Sequence, residues 1–338
     1  MWIRSPKADL TFIIGPAFMA SILVLLLQNL NLAPKNVGPI QWLILVVFID
    51  VAHVWSTLFR TYLNRLAYER IKNALWIIPL CCYLAGVILH SVSELTFWRT
   101  IAYLAVFHFI RQQYGFFSIY KAKELKSNRQ DVFDKFVIYS CSIIPLVIWH
   151  LSGPQAFNWF LKGDFFYMKN DFLIFPLKIL GPLIILSFYF KEIFWFKRRI
   201  LSPKNLIVLG TYVSWWTGIV WVRSDWSFTL TNVISHGIPY FALIYWAHIK
   251  KSETLLWPSF IPLIIWPLLL LTLGFTEELL WDTLMWRENQ PIFGFFYSLP
   301  EATSLSLKAL LVPLLALPQA THYIMDGLIW RKNISLEI

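Results

Sequence analysis

Apolar residues run along this chain in blocks of about twenty, the length a helix needs to cross the hydrocarbon core of a bilayer. Ten such blocks stand out, at residues 10–30, 39–60, 74–92, 97–120, 133–152, 172–195, 205–222, 227–249, 258–276 and 304–329. The polar connection at 121–135 is too short to fold on its own. The pattern therefore predicts an all-α fold, a polytopic transmembrane helical bundle of about ten spans, with residues 1–338 forming a single integral membrane domain. Pro176, Gly181 and Pro182 interrupt the sixth block, and Pro258, Pro262 and Pro267 crowd the ninth. Broken or re-entrant helices are expected there. Residues 275–303 read as an outer-side loop. Within it Trp281, Met285 and Trp286 recur at helical spacing beside Glu277, Glu278 and Asp282, which predicts an amphipathic helix lying on the outer surface.

Composition strengthens the membrane reading. The chain is 14% charged and 58% hydrophobic, with a mean hydropathy of +0.59, whereas a soluble domain is roughly a quarter charged. The formal charge of +10 comes from bases gathered in alternate loops. Arg4 and Lys7 precede the first block; Arg60, Arg65, Arg70 and Lys72 follow the second; Lys121, Lys123, Lys126, Arg129 and Lys135 follow the fourth. Lys191, Lys197, Arg198, Arg199 and Lys204 follow the sixth, Lys250 and Lys251 the eighth, Arg331 and Lys332 the tenth. This is an orientation signal that puts both termini in the cytoplasm, as expected of a multi-pass protein of a bacterial inner membrane. It is not a nucleic-acid footprint, and no nucleic-acid partner is expected. Cys81, Cys82 and Cys141 lie inside apolar blocks without metal-like spacing and read as small hydrophobes. The first block is retained as a helix, because Leu32-Ala33-Pro34 makes a poor signal cleavage site.

Polar residues inside the blocks carry the chemistry. In the segment LPQATHYIMDGLIWRKN, Gln319, His322 and Asp326 fall at i, i+3 and i+7, on one helix face. The second, fourth, eighth and tenth blocks all run from outside to inside, and each holds one histidine: His53, His108, His236 and His322. Each has polar company on its face: Asp50 for His53, Arg111 and Gln112 for His108, Asn232 and Tyr240 for His236, Gln319 and Asp326 for His322. Counting residues from each histidine to the next base, Arg60, Lys121, Lys250 or Arg331, spreads the four over roughly 10 Å of depth. Tilt absorbs that much, so a shared site in the inner half of the membrane is expected.

Several neutral imidazoles with a carboxylate in reach suit a divalent metal, non-haem iron first and zinc second. The expected ligands are His53, His108, His236 and His322, with Asp50 and Asp326 as ligands or as acceptors behind the rings. Gln112, Gln319 and Tyr240 are supporting groups, and Arg111 is placed either to hold the polar end of a substrate or to pair with Asp50 or Asp326. The structural alternative is that each histidine merely bonds two helices together. The function expected is a membrane metalloenzyme, an oxygenase or related oxidoreductase, acting on a lipid or other apolar substrate. Its partners would be membrane lipids and an electron donor. A proton-coupled transporter using the same buried His, Asp and Arg residues is a second expectation, and an acyltransferase with His236 as general base beside Asn232 a third.

The run SWWTGIVWVRSDW, with Trp215, Trp216, Trp221, Arg223, Asp225 and Trp226, resembles over about a dozen residues the tryptophan-rich haem-handling segment of cytochrome c maturation membrane proteins. That resemblance would make His90 and His150 the flanking histidines; an aromatic belt accounts for the same tryptophans, and haem is not expected. In plan, helix-borne histidines in a multi-spanning protein, the chain is similar to the bacterial carotene-cleaving dioxygenases of the Brp/Blh type, which implies iron. The H-x-x-x-H boxes of membrane desaturases and the H-E-x-x-H of intramembrane zinc proteases are absent. His248 sits too far along its block from His236 to share a ligand set.

Overall fold

The computed structural model describes residues 2–122, 128–153, 159–195, 200–249 and 265–330, and all of its regular structure is helical. In chain order the helices are α1 (Pro6–Asn29), α2 (Pro39–Arg60), α3 (Arg65–Val92), α4 (Glu94–Lys121), α5 (Asn128–Leu151), α6 (Asp171–Phe194), α7 (Pro203–Trp216), α8 (Asp225–Ile244), α9 (Ile265–Trp281), α10 (Gln290–Phe293), α11 (Leu305–Leu315) and α12 (Leu317–Ile329). Their starts follow from side chains that accept the first free amides: Asn64 from Ala67, Asn170 from Leu173, Ser202 from Asn205 and Ser304 from Leu307. Wide π turns interrupt the regular pattern at Leu43–Val51 within α2, at Thr217–Trp221 after α7 and at Asp282–Trp286 after α9.

Among the described residues five helices, α1, α2, α3, α6 and the Val132–Leu151 part of α5, are long and apolar enough to cross a membrane. Ten were expected, and the difference has physical causes. Helix α4 is long enough but carries Arg99, His108, Arg111, Gln112 and Gln113. Block 205–222 divides into the 14-residue α7 and a π turn, and block 304–329 breaks at Ala316, before Pro318, into the 11-residue α11 and the 13-residue α12. Block 227–249 is interrupted by Ser, Thr, Asn and His and ends in a π turn. Residues 258–264, the first part of the ninth block, lie outside the described residues. Helices α3 and α6 expose long apolar side chains such as Ile88, Phe172 and Phe175, as helices bathed in lipid do. Pro176, Gly181 and Pro182 are accommodated within α6, which is not re-entrant.

The hydropathy pattern reads as one membrane domain, whereas packing groups the chain into two compact units. Hydropathy marks which segments are apolar but not which neighbour each one chooses. The first unit, residues 1–37 and 109–239, packs α5 against α6 and α7, and α1 against α7. Its interior holds a charge network in which Lys121 and Lys191 pair with Asp134, and Lys191 and Lys204 with Glu192. The second unit, residues 38–108 and 240–338, packs α3 against α11 and α12, and α2 against α9 and α12. The 275–303 segment also differs from expectation. Trp281 and Asp282 are buried, Trp98 meets both Trp281 and Trp286 at 5.4 Å, and Asp282 accepts from Tyr297 and Asn289. The segment continues α9 and folds into the second unit, because Asp282 caps backbone and hydroxyl donors instead of facing water, while Glu288 and Glu301 stay exposed.

Gly274 of α9 sits where α2 changes from π to α geometry, between Asp50 and His53. A Cβ there would lie 2.9 Å from the Val47 carbonyl oxygen and 3.2 Å from the Ala52 nitrogen. Gly274→Ala should cost about 1–3 kcal/mol, read as a lower unfolding midpoint in detergent. Gly115→Ala, at a helical position with nothing within 4 Å, should be neutral or stabilising.

Candidate metal centre

Helix α2 presents Asp50, His53, Thr57 and Arg60 at i, i+3, i+7 and i+10, which is one continuous face. Helix α12 presents Gln319, His322 and Asp326 on a single face, as its sequence stripe predicts. Helix α4 contributes His108 and α8 contributes Tyr240, and all of these residues belong to the second unit.

Three imidazoles meet there. The His322 ring centroid lies 4.5 Å from that of His108 and 4.9 Å from that of His53. The Nε2 atoms of His322 and His108 are 3.1 Å apart. Two nitrogens bound at 2.0–2.1 Å to one ion sit roughly 2.9–3.4 Å apart for angles between octahedral and tetrahedral, so this spacing suits a shared ion. With His236 of α8 the group becomes four buried histidines, each offering a ring nitrogen within 4.8 Å of the others. The Tyr240 ring edge packs on His53 and His322 at 5.6 and 5.4 Å, and Tyr323 covers His108 at 5.2 Å.

Oxygen atoms stand behind the rings, on the Nδ1 side. Thr57 Oγ1 is 2.6 Å from His322 Nδ1; Asp50 Oδ1 is 3.8 Å from His53 Nδ1, and Asp326 Oδ2 is 3.8 Å from His108 Nδ1. The donors can be ordered from the network. Tyr240 donates its only hydroxyl proton to Asp326 Oδ1 at 2.6 Å, where Trp330 Nε1 also donates at 3.0 Å. The Tyr240 oxygen then accepts from Thr57 at 3.3 Å. With the Thr57 proton so placed, His322 Nδ1–H donates to Thr57, and the lone pair of His322 Nε2 faces His108. Arg60, 3% exposed, donates from Nη2 to the Ile329 carbonyl at 2.9 Å, lies 3.8 Å over the Trp330 ring and sets a positive charge beside Asp326.

Of the sequence-predicted residues, His53, His108, His322, Asp50, Asp326 and Tyr240 come together in this unit. Asp50 and Asp326 face Nδ1 atoms, and Asp326 approaches His108, not His322, its neighbour on α12. Gln319 donates to Glu277 Oε1 at 3.3 Å, and Trp55 Nε1 to Glu277 Oε2 at 2.7 Å. It supports a buried carboxylate and does not join the rings. Arg111 is not brought into this buried face: it is exposed, donates to the Tyr139 hydroxyl at 2.7 Å and lies over the Tyr114 ring. Gln112 is buried, and its amide has no hydrogen-bond partner among the described residues. His236 is fully buried, stacked flat on Phe109 at 3.7 Å. Thr57, Glu277 and Trp330 are the residues that sequence reasoning missed; the i, i+3, i+7 spacing of Asp50, His53 and Thr57 was the available signal for Thr57.

Elsewhere, His90 is buried against Phe97, and His150 Nδ1 bonds the Leu146 carbonyl at 2.7 Å. The His248 side chain lies outside the described residues. In the tryptophan-rich run Trp215, Trp216 and Trp226 are buried while Trp221 is 47% exposed. Most of that run is packing inside the first unit and not a belt.

Tyr240→Phe should leave Asp326 with one donor fewer and Thr57 without its acceptor. A loss of about 1–3 kcal/mol is expected, measured as unfolding in detergent, and an unchanged midpoint would show that the network does not hold these helices. No protein-family model, curated protein or solved structure matches this chain.

Proposed function

We propose that the chain is a membrane-embedded metalloenzyme whose ion is held by His53, His108, His236 and His322 through their inner nitrogens. The observation that carries this reading is the 3.1 Å approach of His108 and His322 Nε2, with an oxygen behind the opposite nitrogen of each ring in the second unit. The Thr57 bond at 2.6 Å orients His322 as metal-bound histidines are oriented, and the two carboxylates stand at 3.8 Å, within electrostatic reach of the other rings. Asp50 and Asp326 act from behind the rings, fixing ring orientation and balancing the charge of a divalent ion in a low-dielectric interior. Tyr240 and Thr57 set which nitrogen of His322 carries the proton.

An all-imidazole donor set with open positions suits iron, and bound iron would supply oxygen activation for oxidation of a lipid or other apolar substrate. The chain's part is to hold the ligands rigid and to exclude water. Ala52, Phe59, Tyr240, Ile244, Trp266 and Leu270 form a continuous apolar core beside the site, which is consistent with an apolar substrate. An electron donor is required wherever the reaction consumes more electrons than the substrate releases. Within this reading the apolar blocks beyond the five long helices complete a ten-span topology in a bacterial inner membrane.

The proton-carrier reading rests on the same pair of nitrogens, since one proton also fits between His108 and His322. The acyltransferase reading is weakened by Asn232, whose amide donates to Phe228 and Thr231 of its own helix and not to His236.

Protein purified in detergent should carry stoichiometric metal by elemental analysis, and His322→Ala should abolish it. Thr57→Val should weaken metal affinity roughly 10–100-fold while Thr57→Ser retains it. Metal near zero in the wild type, together with pH-dependent flux in proteoliposomes, would replace this reading with the proton carrier. Fluorescent-protein fusions that mature only in the cytoplasm should light at both termini, and a dark fusion at either end would overturn the ten-span orientation.

A further inference from the structure

The interior of the first unit is unusually rich in hydroxyls and amides, and most of them are satisfied within the helices that carry them. Thr211 donates to the Ile207 carbonyl, Ser214 lies within bonding distance of the Thr211 carbonyl, and Thr231 and Ser235 bond the Ser227 and Asn232 carbonyls. Gln113 bridges two helices, donating to the Ser235 carbonyl at 3.3 Å and accepting from Thr211 at 3.0 Å. These are helix-packing bonds and call for nothing else.

Three residues are different. Thr217 Oγ1, Asn232 Oδ1 and both amide atoms of Gln112 have no hydrogen-bond partner among the described residues, although the residues are 0%, 1% and 9% exposed. An unmade bond at such depth costs about 1–3 kcal/mol, and buried polar atoms of this kind in natural proteins are usually met by ordered water. Thr217 approaches Asn232 through Gly218, and Gln112 approaches His236 through Phe109. Thr217 opens the π turn Thr217–Trp221, and the next residue, Gly218, touches α8 so closely that a Cβ would lie 2.5 Å from Thr231 Oγ1 and 3.2 Å from Asn232 Nδ2. Asn232 Nδ2 is held by the Phe228 carbonyl at 3.1 Å and by Thr231 at 3.2 Å, so Oδ1 points away from both. His236 follows one turn along α8, about 6 Å away at 1.5 Å per residue. Phe109 lies flat on His236, and Gln112 is one turn beyond Phe109 on α4. The free oxygen of Asn232 therefore lies one turn before His236, and the Gln112 amide one turn beyond the ring stacked on it.

We infer that Thr217, Asn232 and Gln112 hold a short file of internal water that ends at His236. None of the three is charged, and amides both donate and accept, which suits a neutral molecule better than an ion. A water makes about three bonds when buried, and one or two waters span the Asn232–His236 turn. Such a file would give His236 a source of water and a route for protons. That role at a metal rests on the metal reading above; the water itself does not.

Hydroxyl-radical footprinting of the full chain in detergent, with radicals made by radiolysis of water, tests the file. Bound water labels its neighbours even where bulk solvent is excluded. Phe109, 3% exposed, should therefore be modified roughly tenfold faster than the equally buried Phe97 and Phe293. On transfer to oxygen-18 water the label at Phe109 should lag behind that at surface residues. Thr217→Val and Asn232→Leu should bring Phe109 down to the level of Phe97. Because the wild-type comparison needs no variant, a variant that fails to fold leaves the test intact. Phe109 no more reactive than Phe97 and Phe293 in the wild type would overturn the inference. The same preparations, assayed for metal, separate the two proposals: labelling of Phe109 without metal would sink the metal reading alone.

Discussion

Burying an imidazole among apolar helices costs free energy unless its polar nitrogens are met, and meeting those of His322 organises the core of the second unit. His322 is met by Thr57, Thr57 by Tyr240, and Tyr240 by Asp326, which Trp330 also bonds. Each link joins a different pair of elements: α12 to α2, α2 to α8, α8 to α12. The polar chain therefore ties three helices at one level, where apolar side chains alone would allow them to slide. Arg60 closes the end of the network. Its stem is buried, its guanidinium lies on Trp330, and its charge offsets that of Asp326. Removing one member would leave its neighbours short of a partner in a place that water does not readily fill.

Helix geometry decides which residues can enter that chain. The π turn at Leu43–Val51 ends immediately before Ala52, and regular α geometry begins there. Asp50 is delivered by the wide turn and His53 by the first regular turn. Gly274 lets α9 lie directly against the junction. Wide turns of this kind recur at functional sites because they re-aim side chains without ending the helix. A second one, at Thr217–Trp221, brings Thr217 and Gly218 against α8 in the first unit. In both units the irregular turn sits beside buried polar groups.

How much of this was legible in the sequence depended on range. The Gln319, His322, Asp326 stripe and its helix followed from local spacing, and the four histidines stood out because ionisable residues are rare in apolar segments. Which atoms meet was not legible. Thr57 reads as an ordinary helix hydroxyl until α12 is placed beside it, and Glu277 reads as a loop carboxylate until Trp55 and Gln319 are seen to donate to it. Arg111 was assigned by its distance from His108 along the chain, yet its three-residue offset turns it outward to Tyr139. The span count came from summed hydropathy, which merges α11 and α12 across the break at Ala316 and gives no weight to the polar face of α4.

The choice between a proton and an ion turns on the number of rings. A shared proton satisfies the pair His108 and His322, whose Nε2 atoms are 3.1 Å apart, and nothing further. His53, at 4.9 Å from His322 by ring centroid, and His236, within the same 4.8 Å nitrogen group, gain nothing from that proton. An ion with five or six positions could take all four and leave room for a substrate or water. The carboxylates divide: Asp326 already has the Arg60 charge beside it, while Asp50 would serve as counter-charge for an ion. Burial alone would favour either reading; the surplus of rings favours the ion.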